Sequence, residues 1–210
     1  GAHGAAREAA DHTCNLVSRM NNLIGETVQQ DLQAKQQVQT LQAKAAYDPL
    51  TQVLNREGFR TRAEQTMALA ARHGRALALC YLDLDGFKSL NDRFGHDFGD
   101  AALQSVVAHT QAVLPKDAIM GRMGGDEFVV MLENPTVEMT REIIERALQT
   151  VAENIIQFEA ASSRVTWSAG LLYVRSLAPE TSLDALVKGA DEVMYQAKRQ
   201  GGNRVVCREF

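Results

Sequence analysis

Residues Leu77–Leu84 have the sequence LALCYLDL, a nearly continuous apolar run that is broken only by one aspartate near its end. A run of this length and composition is typical of a central strand that is covered on both faces of a sheet. Helical patterns precede and follow it along the chain. The stretch therefore predicts a layered fold in which helices cover a sheet.

The other elements are predicted from apolar periodicity and turn residues. Helices are predicted at residues 56–72, 99–114, 136–157 and 182–200, and strands at residues 119–123, 127–132, 165–174 and 203–208. Gly124 and Gly125 join two of these strands, which indicates a hairpin because glycine supplies the positive φ of tight turns. The order predicts an α/β (α+β) sandwich with a central mixed antiparallel sheet, of the ferredoxin-like or polymerase-palm kind.

The first 46 residues have a different pattern, with no proline after residue 5 and with apolar residues at three- and four-residue steps in a Gln-rich background. This predicts one long N-terminal helix of roughly 60 Å, at about 1.5 Å per residue. A parallel two-stranded coiled coil, another helical assembly or the chain's own domain could cover its apolar stripe. We expect residues 1–46 to be a signalling stalk that forms a homodimer, and residues 47–210 to be the functional domain.

Composition argues against several classes of protein. The 210 residues are 45% hydrophobic, and 22 Lys and Arg against 26 Asp and Glu give a net charge of −4, which disfavours broad nucleic-acid binding. The 3 cysteines are far apart, which disfavours a disulfide framework or zinc knuckle and suits a reducing, cytoplasmic location. No apolar run approaches the roughly 20 residues of a membrane span, so we expect no membrane contact within these residues.

The chain begins at Gly1 rather than at a methionine. This start is typical of a fragment, so an upstream sensor domain or membrane anchor could precede the long helix in the natural protein. The long helix could instead be the functional part of the chain, as a docking platform for a partner protein.

Three carboxylates stand where a cation could bind. Asp83 ends the apolar strand, where an isolated buried charge is costly unless it is paired. Asp126 and Glu127 follow the glycine pair, and three acids brought together repel one another unless a divalent cation lies between them. Oxygen ligands favour Mg²⁺. On residue types alone, a solvated turn at Asp126 and Glu127, with Asp83 as a helix cap, is an equally open interpretation.

Other motifs for nucleotide binding or catalysis are not met. The chain has no GxxxxGK[ST] P-loop, and no GxGxxG follows a strand. The stretch from Asp83 imitates an EF-hand loop at its first and third positions, but Phe87 stands at the fifth and Lys88 where the turn glycine belongs. No HExxH or GxSxG is present, which disfavours metalloprotease and serine hydrolase chemistry.

A series of short motifs spans about residues 48–208. They are Asp48-Pro49-Leu50-Thr51 with Asn55-Arg56, Asp83-Leu84-Asp85-Gly86-Phe87-Lys88, Asn91-Asp92, Gly95-His96, Gly99-Asp100 and Arg122-Met123-Gly124-Gly125-Asp126-Glu127-Phe128. Together these motifs resemble the GGDEF family, the diguanylate cyclases. The resemblance implies a palm-like nucleotide-cyclase fold and the condensation of two GTP into cyclic di-GMP, with release of two pyrophosphates.

The resemblance also implies a role for individual residues. Implied as catalytic are Gly124, Gly125, Asp126 and Glu127. The implied ligands of Mg²⁺ or Mn²⁺ are Asp83, the Leu84 carbonyl, Asp126 and Glu127. Asp126 could instead accept the proton of the attacking 3′-hydroxyl. Implied as substrate-binding are Asn91 and Asp100 at the guanine edge, the amides of Gly86, Phe87 and Lys88 at the phosphates, His96, and Lys198 as a cation for the triphosphate.

Two motifs of the family are incomplete in this chain. Pro115 and Ala118 replace the RxxD motif of the product-inhibition site, so we expect that site to be absent. Gly202 replaces a common triphosphate arginine, for which Arg199 or Arg204 could substitute. We expect an active diguanylate cyclase that works as a dimer. The alternative is a catalytically silent GGDEF domain that binds GTP or docks a protein.

Overall fold

A computed structural model describes Gln29 and residues 46–210 of the chain. The chain divides into two units, residues 1–45 and residues 46–210, and all helices and strands below belong to the second. The long helix and signalling stalk predicted for residues 1–46 lie outside the described residues, apart from Gln29 and Ala46.

The second unit alternates helices and strands. Its helices are α1 (Arg56–His73), α2 (Phe87–Phe94), α3 (His96–Val113), α4 (Val137–Glu153) and α5 (Leu183–Arg199). Its strands are β1 (Leu77–Leu84), β2 (Ile119–Gly124), β3 (Glu127–Glu133), β4 (Ile156–Phe158), β5 (Ala161–Ser163), β6 (Trp167–Val174) and β7 (Val205–Glu209). No helix among the described residues is both long and apolar enough to cross a membrane.

The central sheet has the strand order β2-β3-β1-β6-β7. β1 lies in the middle and pairs antiparallel with β3 and β6, whereas β7 runs parallel to β6. The six residues from Leu77 to Leu82 are at most 7% exposed, as expected for an apolar strand with both faces covered. The predicted α/β (α+β) sandwich with a mixed central sheet is therefore confirmed.

Alternate residues of β1 enter two different hydrophobic cores, because neighbouring side chains of a strand point to opposite faces of the sheet. Odd-numbered residues from Leu77 to Tyr81 pack with α1 and α5. Even-numbered residues from Ala78 to Leu84 pack with α3 and α4. Asp83 continues the odd row, so the strand brings its carboxylate to the side of the sheet that α5 covers.

The structure contains a helix, α2, that the sequence pattern did not predict. Phe87, Leu90 and Phe94 lie at helical spacing and pack on the core, but an eight-residue helix is too short for this pattern to be distinguished from a loop. Gly95, with a φ of 87°, separates α2 from α3. The prediction that α3 begins at Gly99 was wrong, since the helix begins at His96.

The helix predicted at residues 136–157 is also shorter than expected, ending at Glu153. Asn154 leaves the helical conformation, and its side-chain amide donates to Ser105 Oγ at 2.9 Å. The chain then forms β4 and β5, a two-stranded hairpin whose strands are three residues long. Strands this short contain too few residues for an alternation pattern. β6 and β7 each begin two residues later than predicted.

Candidate active site

The end of β1 carries the first group of candidate residues. Asp83 lies opposite Glu127 in the antiparallel register of β1 and β3. Lys198, from the last turn of α5, donates through Nζ to Asp83 Oδ1 and, at 3.1 Å, to the Leu84 carbonyl. Two oxygens of the metal-ligand set that the resemblance implied thus converge on one cationic group.

The acids of β1 and of the β2–β3 turn influence one another. Burial raises the pKa of Asp83, and the charges of Asp126 and Glu127 raise it further, whereas Lys198 opposes the rise. The pKa of Tyr81, which precedes this site on the same face of β1, is raised first by burial and then by nearby carboxylates. Negative charge is therefore in excess at this end of the sheet, a condition that a bound cation relieves.

These donors fit a hard cation. Asp83 Oδ1 and the Leu84 carbonyl face a single cationic group, and Glu127 is aligned with Asp83 across the strand pair. Among the described residues, no group of three or more His, Cys, Asp or Glu side chains could hold a metal ion by itself. Further ligands would have to come from backbone carbonyls, water or substrate phosphates, as is common for Mg²⁺.

Arg122 forms hydrogen bonds that hold the turn between β2 and β3. Its Nε and Nη2 donate to the Gly125 carbonyl at 2.9 and 2.7 Å, and its Nη1 donates to the two Asp48 carboxylate oxygens at 3.1 and 3.0 Å. The Thr51 amide and hydroxyl donate to Asp48 as well. Burial raises the pKa of Asp48, but these hydrogen bonds outweigh burial and hold it below its usual value. The guanidinium therefore ties the turn to the segment that precedes α1.

The two glycines of the turn are needed for its backbone. Gly124 has a φ of 154° and Gly125 a φ of 50°, values that residues with a side chain rarely adopt. A Cβ at either position would meet no atom of the described residues within 4 Å, apart from its chain neighbours. The turn thus leaves open space beside Asp126 and Glu127, which directly follow it.

The N-terminus of α2 lies just beyond the end of β1. Gly86, with a φ of 70°, is the residue before the helix, and it provides no side-chain cap. The first N–H groups of a helix have no partner within it, and the helix dipole favours negative charge there. The backbone of Gly86, Phe87 and Lys88 can therefore bind phosphate oxygens, with the exposed Lys88 side chain beside them.

Asn91 lies where α2 and α3 come into close contact. Its Oδ1 is buried and has no hydrogen-bond partner among the described residues. A Cβ on Gly99 would lie 1.9 Å from this oxygen, so the glycine is what allows the two helices to approach. Asp100, next to Gly99, and His96, at the start of α3, are exposed. An unpaired buried acceptor costs about 1–3 kcal/mol, which an N–H group of a ligand could recover.

Comparison with known proteins agrees with this geometry. Residues 45–204 match the family model described as "Diguanylate cyclase, GGDEF domain". The chain belongs to the GGDEF family. Over 202 residues it is 33% identical to diguanylate cyclase DgcP of Pseudomonas aeruginosa, an alignment that covers 95% of this chain and 30% of DgcP. The GGDEF chain thus spans less than a third of that relative's length.

Two solved structures have the same fold as this GGDEF chain. The coiled coil and GGDEF domain of DgcB from Caulobacter crescentus, in complex with c-di-GMP, has a TM-score of 0.78 at 23% identity and covers 90% of this chain and 99% of its own. Diguanylate cyclase SiaD of Pseudomonas aeruginosa, in complex with its activator SiaC, has a TM-score of 0.74 at 27% identity. The match covers 99% of this chain and 81% of the SiaD chain. The predicted family and fold are therefore confirmed.

The candidate residues of the GGDEF domain lie on four pieces of structure: the end of β1, the β2–β3 turn, α2 with the start of α3, and the last turn of α5. Lys198 was predicted to contact the triphosphate, and in the structure its ammonium binds Asp83 and the Leu84 carbonyl.

Sequence reasoning missed the roles of Asp48, Arg122 and Asp85, although all three stand in quoted motifs. Arg122 and Asp48 are separated by 74 positions. The hydrogen-bond partners of Asp85 are 81 to 118 positions away. No local pattern in the sequence connects residues at such separations.

Proposed function

We propose that this chain is a diguanylate cyclase, which condenses two GTP into cyclic di-GMP with release of two pyrophosphates. The observation that carries the proposal is the convergence of Asp83 Oδ1 and the Leu84 carbonyl on one cationic group, beside two further carboxylates that raise the pKa of Asp83. A solvated turn would not concentrate acids against a buried strand end. A site for Mg²⁺, or for Mn²⁺, accounts for the arrangement.

Asp83, the Leu84 carbonyl and Glu127 would hold the cation in this proposal. When bound, the cation would stabilise the charge that develops on the α-phosphoryl group and on pyrophosphate. We assign to Asp126 either a further ligand position or the role of accepting the proton of the attacking 3′-hydroxyl. Either role requires a carboxylate next to the open Gly124-Gly125 backbone.

The remaining residues would bind the nucleotide. The amides at the N-terminus of α2 suit the β- and γ-phosphates, to which Lys88 and Lys198 add positive charge. The unpaired Asn91 Oδ1 and the Asp100 carboxylate can accept hydrogen bonds from the N1 and N2 groups of guanine. Adenine has no hydrogen at N1 and no amino group at C2, so GTP should be preferred to ATP. His96, at the start of α3, is a further candidate for substrate contact.

The reaction we propose needs two copies of the domain, since each would supply one GTP. A homodimer made by the N-terminal helix would bring the two Gly124-Gly125 turns together. The coiled coil in the DgcB structure and the activator in the SiaD complex support a stalk of this kind and a possible partner protein. We further propose a cytoplasmic location for this domain, where GTP is available.

The test is to incubate the chain with GTP or ATP and Mg²⁺ and to separate the products by chromatography. Cyclic di-GMP should form from GTP, and Asp83→Asn and Glu127→Gln should each reduce its formation by at least about a hundredfold, because each removes a charge from the cation site. Glu180→Gln is the matched control, since it neutralises an exposed carboxylate in the loop before α5.

Circular dichroism would show whether the variants keep the fold. Unchanged turnover in both variants, or equal rates with ATP, would contradict the proposal. GTP binding without any product would instead identify a silent GGDEF domain.

A further inference from the structure

Asp85 accepts three hydrogen bonds from two other parts of the chain. Its Oδ2 accepts from Thr166 Oγ1 at 2.8 Å and from the Asn203 amide at 2.9 Å, and its Oδ1 accepts from Ser168 Oγ at 2.7 Å. Ser168 is fully buried. Lys198 Nζ lies 3.8 Å from Asp85 Oδ1. The carboxylate thus joins the end of β1 to the start of β6 and to the loop between α5 and β7.

The loop between α5 and β7 is closely fitted to this carboxylate. Gly201, Gly202 and Asn203 have φ values of 107°, 71° and 48°, so the chain turns away from α5 within three residues. A Cβ on Gly202 would lie 3.0 to 3.1 Å from the carboxylate atoms of Asp85, which leaves little room for a side chain there. The loop can lie this close to Asp85 because the residue is glycine.

Lys198 lies where this loop leaves the helix. Its carbonyl accepts a hydrogen bond from the Gly201 amide at 3.1 Å, so the start of the loop is tied to it. Its ammonium contacts the oxygens of Asp83 and Leu84 and lies near that of Asp85. Asp85 therefore acts on Lys198 in two ways, directly through its charge and indirectly through the loop.

We propose that Asp85 is a positioning residue, which fixes the loop after α5 and thereby keeps the Lys198 ammonium at the end of β1, from where it would bind the triphosphate once a metal ion occupies Asp83 and the Leu84 carbonyl. Both Asp85 oxygens already accept hydrogen bonds from within the chain, from the start of β6 and from this loop, so the carboxylate fixes protein structure rather than binding the nucleotide itself. The inference rests on the proposed function only in that Lys198 binds GTP.

A double-mutant cycle of Asp85→Asn and Lys198→Met tests the coupling. Asp85→Asn keeps the size of the side chain but removes its charge and one of its acceptor oxygens. Alone, it should raise the KM for GTP and lower kcat/KM by roughly ten- to a hundredfold, because Lys198 is displaced. In the Lys198→Met background the same substitution should cost less than about twofold, since both changes act through one ammonium.

Asp117→Asn is the control, because it removes the same charge at an exposed turn and should leave the kinetics unchanged. A fully additive loss in the double variant, or an Asp85→Asn variant with wild-type kinetics, would overturn the inference. If Asp85→Asn does not fold, Thr166→Val removes one of the three hydrogen bonds with little change of shape. It should give the same non-additive pattern with a smaller loss, and additivity there would overturn the inference equally.

Hydrogen exchange at residues 200–203 provides a readout that needs no turnover. Loss of the bond from the Asn203 amide to Asp85 should make this loop exchange roughly tenfold faster in Asp85→Asn, and not in Asp117→Asn. Unchanged exchange would overturn the inference even in an active enzyme. A wild-type chain without product would contradict the proposed function alone, and the cycle would then be measured on the affinity for GTP.

Discussion

The pair formed by Arg122 and Asp48 shows how single residues shape the candidate site. Both side chains are only 15% exposed, and the guanidinium uses its other donors on the Gly125 carbonyl. Charge-assisted hydrogen bonds at this level of burial contribute more than an exposed ion pair does. The turn that carries Asp126 and Glu127 therefore depends on a carboxylate 74 positions before Arg122.

We expect Asp48→Asn to lower the free energy of unfolding by about 1–3 kcal/mol at neutral pH, because Arg122 and Thr51 lose a charged acceptor. The pKa of Asp48 lies below its ordinary value of 3.8 in the folded protein. Its stabilising contribution is therefore complete above the ordinary value and is lost as the pH falls through the folded-state pKa. The difference in stability between wild type and Asp48→Asn should shrink below about pH 4.

Urea unfolding of both proteins between about pH 3 and pH 7 measures this difference. Asp117→Asn, at an exposed turn, serves as a control for the loss of one negative charge. A difference between wild type and Asp48→Asn that stays constant over this range would show that the ionised Asp48 is not what holds Arg122.

At the scale of an element, the loop between α5 and β7 can be tested by substitution of Gly202. Replacing Gly202 with the arginine that the family commonly has there should lower activity rather than restore an anion contact. The φ of 71° costs a residue with a side chain about 1–2 kcal/mol, and the new Cβ would press on Asp85. The loop that holds Lys198 would then move.

Gly202→Ala is the matched control for Gly202→Arg, because it adds the Cβ without the guanidinium. The midpoint temperature of thermal unfolding should fall by a similar amount in both variants, and so should kcat/KM for GTP. An arginine variant more active than wild type would mean that the loop has room for the side chain and that a triphosphate contact was missing.

The elements that could be predicted are those whose signals are local. β1 was predicted from its apolar run, and the β2–β3 hairpin from Gly124 and Gly125. α2 was missed because its apolar positions, Phe87, Leu90 and Phe94, span only eight residues, fewer than a helical pattern needs. α4 ends at Asn154, whose side chain hydrogen-bonds to Ser105, 49 positions earlier, a contact that no local pattern shows.

The candidate site was predictable to the same extent. Asp83 and Glu127 could be identified as candidates because they are acidic residues at the ends of strands. Asp85 stands in the same motif, yet its partners Thr166 and Asn203 are brought to it only by the completed sheet and the loop after α5. Residue type can indicate which groups do chemistry, whereas the groups that hold them in place are identified by tertiary contacts.

For the whole molecule, the proposed reaction depends on how two domains meet. Isolated domains would have to meet by diffusion, whereas a shared N-terminal helix would make the encounter intramolecular, with an effective concentration of roughly millimolar for a short tether. The proposed stalk could also hold the two domains in an unproductive rotation. A change in its packing would then regulate the enzyme.

The rate per protomer should be measured against protein concentration for the full chain and for a chain that begins near Ala46. Dilution should reduce the rate of the shortened chain while that of the full chain stays constant. Light scattering should give a dimer mass for the full chain. A monomeric full chain, or identical masses and concentration dependence for both, would show that residues 1–46 are not the dimeriser and would favour a docking platform.

The position of Lys198 has a consequence for how the protein responds to its ionic surroundings. Many small metal-binding domains fold only when the ion binds, because the site does not exist in the unfolded chain. Here the polypeptide carries its own counter-cation, because the Lys198 ammonium lies against Asp83 and the Leu84 carbonyl. Folding would then not require metal binding at the proposed site. If the proposed cyclase needs Mg²⁺, removing the ion should abolish turnover but leave the domain folded, and adding it back should restore activity without refolding.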